Sequence, residues 1–175
     1  DGTIERNVHF PKSPMDIVYS GPHIGVGNPM FKTSRSICVL KSDYDNLDLT
    51  VLPKDYFQRS NYLPTCTMDE YVRRVPETPW GTKYTEEYRI LHRRMLNRSS
   101  ERTLTCAIVG KAIAHVNTVI SLTLCNSVDM VTVAGCEASI PYDMLVKCCG
   151  KSDLYFNTMQ LFPTVDSSKW YGITS

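Results

Sequence analysis

The sequence predicts a single mixed α+β domain with a strand-rich core and a helical C-terminal part, and three observations carry this. Its 175 residues suffice to bury a real core without staples. Hydrophobic residues make up 42% and charged residues 21%, the balance of an ordinary globular domain. Short runs of branched and apolar side chains dominate the first and middle parts. Residues 127–149, by contrast, contain Pro141 as their one proline and are closed by Gly150, a natural helix C-cap.

Taken in chain order, residues 16–19 and 24–26 are short apolar stretches separated by the turn signal Ser20-Gly21-Pro22. Residues 36–41 (S-I-C-V-L-K) read as a strand, 43–46 as a polar turn and 47–52 as a further short strand. Pro53 and Pro64 bracket an irregular segment over 55–63, D-Y-F-Q-R-S-N-Y-L. Thr67 caps a short helix with Asp69 and Glu70 in its first turn, where carboxylates favour the dipole, and Pro76 and Pro79 end it. The clearest helix is expected over 85–96, because Tyr84, Tyr88, Leu91 and Met95 recur as one apolar stripe. Glu86 and Glu87 would start it, and Arg93 and Arg94 would end it. Strands over 103–109 and 119–124, with a polar interruption at 115–117, precede the helical end, which breaks at Pro141. Ile108, Val109, Leu122, Leu124 and Leu145 are expected core residues, and 99–103 is expected to be a junction into a buried strand.

Net charge is +1, so no global basic field announces a nucleic-acid partner. The longest apolar run, around 116–125, is too short and too polar to cross a bilayer, and nothing reads as a signal peptide. The seven cysteines form no C-x-x-C pair, which predicts reduced thiols in a cytoplasmic protein and no structural metal. The abrupt opening at Asp1, without an initiator Met, and the close at Ser175 are those expected of a piece of a longer chain.

Chemistry-bearing motifs are few. Asn28-Pro29-Met30-Phe31 approaches the Asn/Asp-Pro-Pro-aromatic motif with which adenine methyltransferases grip a flipped base, but Met30 breaks it. Gly25-Val26-Gly27 is no nucleotide-binding fingerprint, so a turn after a short strand is the stronger reading. His9, His23, His92 and His115 lie far apart, in no nucleophile signature. Asp69-Glu70 and Glu86-Glu87 read as helix starts rather than as paired catalytic carboxylates. Local charge is more informative. Between Arg73 and Arg102, eight basic residues (Arg73, Arg74, Lys83, Arg89, Arg93, Arg94, Arg98, Arg102) stand against Glu77, Glu86, Glu87 and Glu101, a net +4. Arg dominates, the side chain that grips phosphate and guanine edges bidentately, and Tyr56, Asn61, Tyr62, Trp80 and Tyr84 lie beside or among these charges. A solvated helix face explains the same run equally well.

Five blocks carry a resemblance: S-G-P-H-I-G-V-G-N-P-M-F-K-T (20–33), R-S-N-Y-L-P-T-C (59–66), Y-V-R-R-V-P-x-x-P-W-G (71–81), S-S-E-R-T-L (99–104) and I-P-Y-D-M-L-V-K-C-C-G-K (140–151), the last followed by L-F-P at 161–163. In this order they resemble the target-recognition region of large bacterial restriction–modification adenine methyltransferases, akin to the C-terminal specificity domains of TaqI-like and type I enzymes. The resemblance implies that residues 1–175 are a target-recognition domain lying downstream of a catalytic domain. It also implies no cofactor in this piece, S-adenosylmethionine belonging to the parent's catalytic domain. The implied partners are double-stranded DNA and that catalytic methyltransferase domain, with no membrane. Arg73, Arg74, Lys83, Arg35, Arg59 and Lys151 are then expected to neutralise phosphates and set register. Asn61 and Tyr62 are expected to reach base edges, since amides pair with adenine. Two rivals stand beside this reading: a protein-interaction or scaffold module of a phage-defence complex, and an enzyme with a composite Cys/His or degenerate N-P-M-F site.

Overall fold

A three-stranded antiparallel sheet forms the middle layer of the computed structural model, which describes residues 2–166. In chain order the elements are β1 (Ile4–Glu5), β2 (Val18–Tyr19), β3 (Lys32–Ser34), β4 (Tyr44–Asn46), β5 (Leu63–Pro64), α1 (Met68–Arg74), β6 (Arg89–Arg93), β7 (Cys106–Val109), β8 (Ala114–His115), β9 (Val119–Leu122), α2 (Ser127–Ala138), α3 (Ile140–Cys148) and α4 (Phe156–Met159). The sheet runs β7-β6-β9, with Leu91 opposite Ala107 on one side and Ser121 on the other. The remaining strands pair in twos, β1 with β5, β3 with β4, and β2 with β8, the last pair parallel. This is the mixed α+β architecture the sequence predicts, with three of the four helices after residue 126. No helix among the described residues is long and apolar enough to cross a membrane.

Strand β6 overturns the expected helix over 85–96. The stripe it rested on does not exist, since Tyr88 and Met95 are exposed at 54% and 62% while Ile90 and Leu91 are wholly buried. Consecutive side chains of R-I-L-H-R leave the strand on opposite faces. Leu91 packs with Ile17, Tyr19, Ile24, Ala107, Val109 and Val119, and Ile90 packs with Cys106 and Met130 on the α2 side. A segment covered on both faces must be apolar or paired at every position, and that demand wins over a helical spacing of aromatics. Before it the chain makes one 3-10 turn, Tyr84–Glu86. Glu86 and Glu87 therefore start no helix. Glu86 accepts the Lys83 amide at 2.9 Å, and Glu87 accepts from the Thr82 hydroxyl at 2.6 Å and the Trp80 indole at 3.2 Å.

Two expected strands are loops. Residues 36–41 connect β3 to β4 with Ile37, Val39 and Leu40 exposed, while β4 occupies most of the expected turn at 43–46. Asp43 decides this locally, its carboxylate accepting the amides of Val39 at 2.9 Å and Leu40 at 2.7 Å. Residues 47–52 are likewise a turn, with Asp48 holding the Thr50 amide at 3.0 Å and Leu49 and Val51 exposed. In both places a short Asp side chain offers the backbone an alternative to a ladder.

The rest follows the sequence closely. Thr67 caps α1 by accepting the Glu70 amide, and α1 stops at Val75 before Pro76. Ser139 both ends α2 and caps α3, so the break falls just before Pro141, and Gly150 closes α3 with a φ of +67°. Val109 is buried, and Ile108, Leu122 and Leu124 pack half-buried beneath α2. Leu145, expected in the core, is 44% exposed on the outer face of α3, whose inner face presents Tyr142 and Val146. Residues 99–103 form the expected junction, and its anchor is Asp143. The buried carboxylate accepts the amides of Thr103 at 2.9 Å and Leu104 at 2.6 Å, which tie α3 to the start of β7. Helix α2 is tied to the sheet by His92 and Glu137, buried and 2.7 Å apart.

Replacing Asp143 with Ala leaves two buried amides without an acceptor. Urea unfolding should then show a loss of about 2–4 kcal/mol. Asp143→Asn, whose amide oxygen still accepts, should lose clearly less.

Candidate functional site

The segment 58–61, Gln-Arg-Ser-Asn, runs through the interior with one isolated bridge, Ser60 exchanging both backbone bonds with His9, and side chains satisfy many of its other polar groups. Gln58 accepts the Tyr19 hydroxyl at 2.5 Å and donates to the carbonyls of Lys32 at 2.9 Å and His23 at 3.3 Å. Ser60 donates to the Val18 carbonyl at 3.1 Å. His23 closes the network from the turn Ser20–His23. The Ser20 amide donates to His23 Nδ1 at 3.0 Å, so the ring proton sits on Nε2 and is donated to the Arg59 carbonyl at 3.1 Å. The Ser20 hydroxyl bridges on to Tyr44 Oη at 2.9 Å, and Asn61 Nδ2 donates to the same oxygen at 3.3 Å. The His23 ring lies stacked on Tyr19 and edge-on to Tyr44. Burial pushes the Tyr44 hydroxyl up to about 12 and pushes the His23 pKa down.

Above this network opens a cavity of about 250 Å³. Ser20, Tyr44, Asn61 and Tyr62 line it together with three cations, Arg6, Lys41 and Arg93, and no carboxylate is among its lining residues. Arg93, reaching down from β6, donates from Nε to the Gly21 carbonyl at 2.7 Å and from Nη2 to the Ile24 carbonyl, and so holds the turn in place. Arg6 donates to the carbonyls of Cys38 and Val39, both at 2.7 Å, which fixes the 36–41 loop as one wall. These bonds orient the two guanidinium groups without neutralising them. Asn61 is 3% exposed and its Oδ1 has no partner. The next loop packs equally tightly, because a Cβ on Gly25 would stand 2.9 Å from the Phe31 ring.

Two of the eight expected contact residues, Asn61 and Tyr62, thus meet in one site. Arg59 sits behind it, its guanidinium 4.4 Å from the Phe10 ring centroid and bonded to the Ser34 carbonyl at 3.3 Å. Arg35 is paired with Asp45 at 2.8 Å, Arg73 and Arg74 share Glu70 on α1, and Lys83 reaches Glu77 at 3.1 Å. Lys151 is exposed just past α3, away from the cavity lining. The basic run from Arg73 to Arg102 forms no single face. Arg89 is buried, Arg94 lies 3.5 Å from Asp153, and Arg102 lies 3.6 Å from Asp143. Its partners Glu70, Asp143 and Asp153 all come from outside the run, so counting charge within the run overstated it. Arg6, Lys41 and Tyr44 carried no sequence signal. They lie in an aperiodic N-terminus, at the end of an expected strand and in an expected turn.

The Asn28 side chain is committed to the turn, accepting the Met30 amide at 2.9 Å. All seven cysteines are free, and among the described residues no group of three or more His, Cys, Asp or Glu side chains could hold a metal ion. No family model, no curated protein and no solved structure matches the chain.

His23 makes the floor of the cavity sensitive to acid. Protonating Nδ1 would set a second donor against the Ser20 amide, so the folded imidazole resists a proton that the unfolded one accepts near its ordinary 6.5. Just below that pH the unfolded chain binds more protons, and stability must fall as pH falls; above it the contribution is intact. Urea unfolding between pH 7.5 and 5.5 (roughly the imidazole range) should show this slope, and His23→Gln should reduce it, the remainder belonging to His115, whose pKa burial also lowers.

Proposed function

We propose that this chain recognises double-stranded DNA, as the target-recognition domain of an adenine methyltransferase of the restriction–modification type. The observation that carries this reading is the cavity whose lining combines three cations, an amide and two tyrosines with no carboxylate. Cations neutralise phosphates and set register, whereas an amide reads a base edge. Arg6 and Lys41 would take phosphates, Arg93 would hold the turn beneath them, and Asn61 and Tyr62 would face the bases. Arg35, Arg73, Arg74 and Lys83 already have acidic partners, so any phosphate they met would have to displace a carboxylate. Methyl transfer and S-adenosylmethionine belong, in this reading, to the catalytic domain of the parent protein.

A second reading, a protein-interaction module of a phage-defence complex, has one observation in its favour. The outer face of α2 and α3 exposes Val128, Val131, Ile140 and Met144, the last two at 75% and 57%. A target-recognition domain would use such a face to pack on its own catalytic domain, so the two readings separate on DNA.

The test is retention of a random-duplex pool at low and moderate salt, with sequencing of what is kept. A short common motif should emerge, with affinity falling as salt rises. Arg6→Ala with Lys41→Ala should flatten the salt dependence by about two phosphate equivalents, one per cation. Asn61→Ala should relax one base position at a cost of about 1–3 kcal/mol. If Arg73→Ala with Arg74→Ala weakens binding more than the Arg6/Lys41 pair does, the contact face is α1 instead. No retention by the parent protein at low salt sinks the DNA reading.

A further inference from the structure

Four residues before Arg93 on the same strand, and about 13 Å away along it, Arg89 lies under a different cavity. This one measures about 400 Å³ and shares no lining residue with the first. Tyr71, Arg74, Tyr84, Arg89, His115 and Ser121 supply its polar groups, Ile4, Val75, Pro76 and Ala114 much of its apolar wall, and no carboxylate is among its lining residues.

The two arginines of β6 are provided for very differently. Arg93 has Nε and Nη2 on loop carbonyls. Arg89 is 3% exposed, donates from Nη2 to the Ile113 carbonyl, and has a buried Nε that meets no acceptor. Among the described residues no carboxylate pairs with it, although a buried cation without a counter-charge is among the most costly arrangements a fold can hold. The neighbouring groups do not change the balance. Arg74 is paired with Glu70 and bonded to Thr3, and His115 is turned towards Ser121 Oγ at 3.0 Å, with burial pushing its pKa down. Arg89 is therefore a buried guanidinium without a carboxylate partner among the described residues, at the edge of a recess that Tyr71 and Tyr84 also line.

We propose that this cavity binds a carboxylate carried on a small aromatic body, with Arg89 as its anchor. A guanidinium that lacks a carboxylate in the fold matches one brought by a ligand, and its planar edge suits a carboxylate's two oxygens. Tyr71 and Tyr84 both line it, and the volume lies in the range of small-ligand pockets. A phosphate in duplex DNA is flanked by two sugars, whereas a terminal carboxylate enters a recess end-on. The inference is independent of the DNA reading, since it rests on other residues and another cavity.

Benzoate and its neutral counterpart benzamide, titrated into the intact chain by calorimetry and by thermal shift, test it without any variant. Benzoate should bind at millimolar concentration and raise the unfolding midpoint, and benzamide should do neither. Arg89→Met, which keeps the stem and removes the charge, should weaken benzoate at least about tenfold, the worth of one charge-assisted pair. Val75→Trp, which fills the recess and leaves Arg89 in place, should block it too and guards against a folding defect in the first variant. A short peptide ending in Phe, with its C-terminus free or amidated, tells a small acid from a chain terminus as the source of the carboxylate. Equal responses to benzoate and benzamide overturn the proposal. So does undiminished binding in a folded Arg89→Met chain, or silence of the wild-type chain towards both carboxylates. A chain that binds benzoate but no DNA leaves it standing.

Discussion

Polar side chains buried on the central strand govern how the layers of this domain come together. Strand β6 is covered on both faces, yet Arg89, His92 and Arg93 are three of its five residues. A buried polar or charged group costs more than most single contacts return unless it finds a partner. Each layer is therefore held at a fixed position as well as at a fixed depth. Arg93 draws the 21–24 turn onto one face, and Glu137 of α2 meets His92 on the other. Apolar packing alone would tolerate sliding by a residue; these pairs do not.

The same logic explains what the resembling blocks do in the fold. Ser20 and His23 of the first block meet Arg59 and Asn61 of the second, partly through Tyr44. Thr103 and Leu104, at the end of the fourth, meet Asp143 of the fifth. Both are buried polar joints between segments far apart in sequence, in which His23, Asn61 and Asp143 use side chains and Arg59, Thr103 and Leu104 offer backbone atoms. The first joint also borders a cavity, through Ser20, Tyr44 and Asn61.

How much could be read from the sequence divides along the same line. Helix α1 with its capping Thr67, the helical stretch of α2 and α3 with its break near Pro141 and closing Gly150, and strands β7 and β9 were legible because their signals are local; the caps Asn126 and Ser139 were not named. Strand β6 was not, because its burial is imposed by neighbours contributed by residues 17–24 and 127–138. The loops at 36–41 and 47–52 carry strand-forming residues but find no partner, and an Asp side chain captures their amides instead. Of the site, Asn61 and Tyr62 were named from residue type. Arg6 and Lys41 could not be, since only the hairpin connection brings residues 6, 41 and 61 to one wall. The cavity of Arg89 was hidden for the opposite reason: in sequence Arg89 is one basic residue among eight, and its lack of a counter-charge exists only once the chain is folded.

The pairing of β2 with β8 sets the order in which the domain can be assembled. Val18 lies beside Ala114 and Tyr19 beside His115, so more than half the chain separates the partners, and about a third separates β1 from β5. Closing loops of that length costs entropy before any contact repays it. During synthesis β1 can find β5 first, whereas β2 lacks its strand partner until β8 has emerged. Ile17, Tyr19 and Ile24 complete their cluster only once Leu91, Ala107, Val109 and Val119 are present. The 21–24 turn, which borders the first cavity, is thus completed only when Arg93 and the sheet are there to receive it.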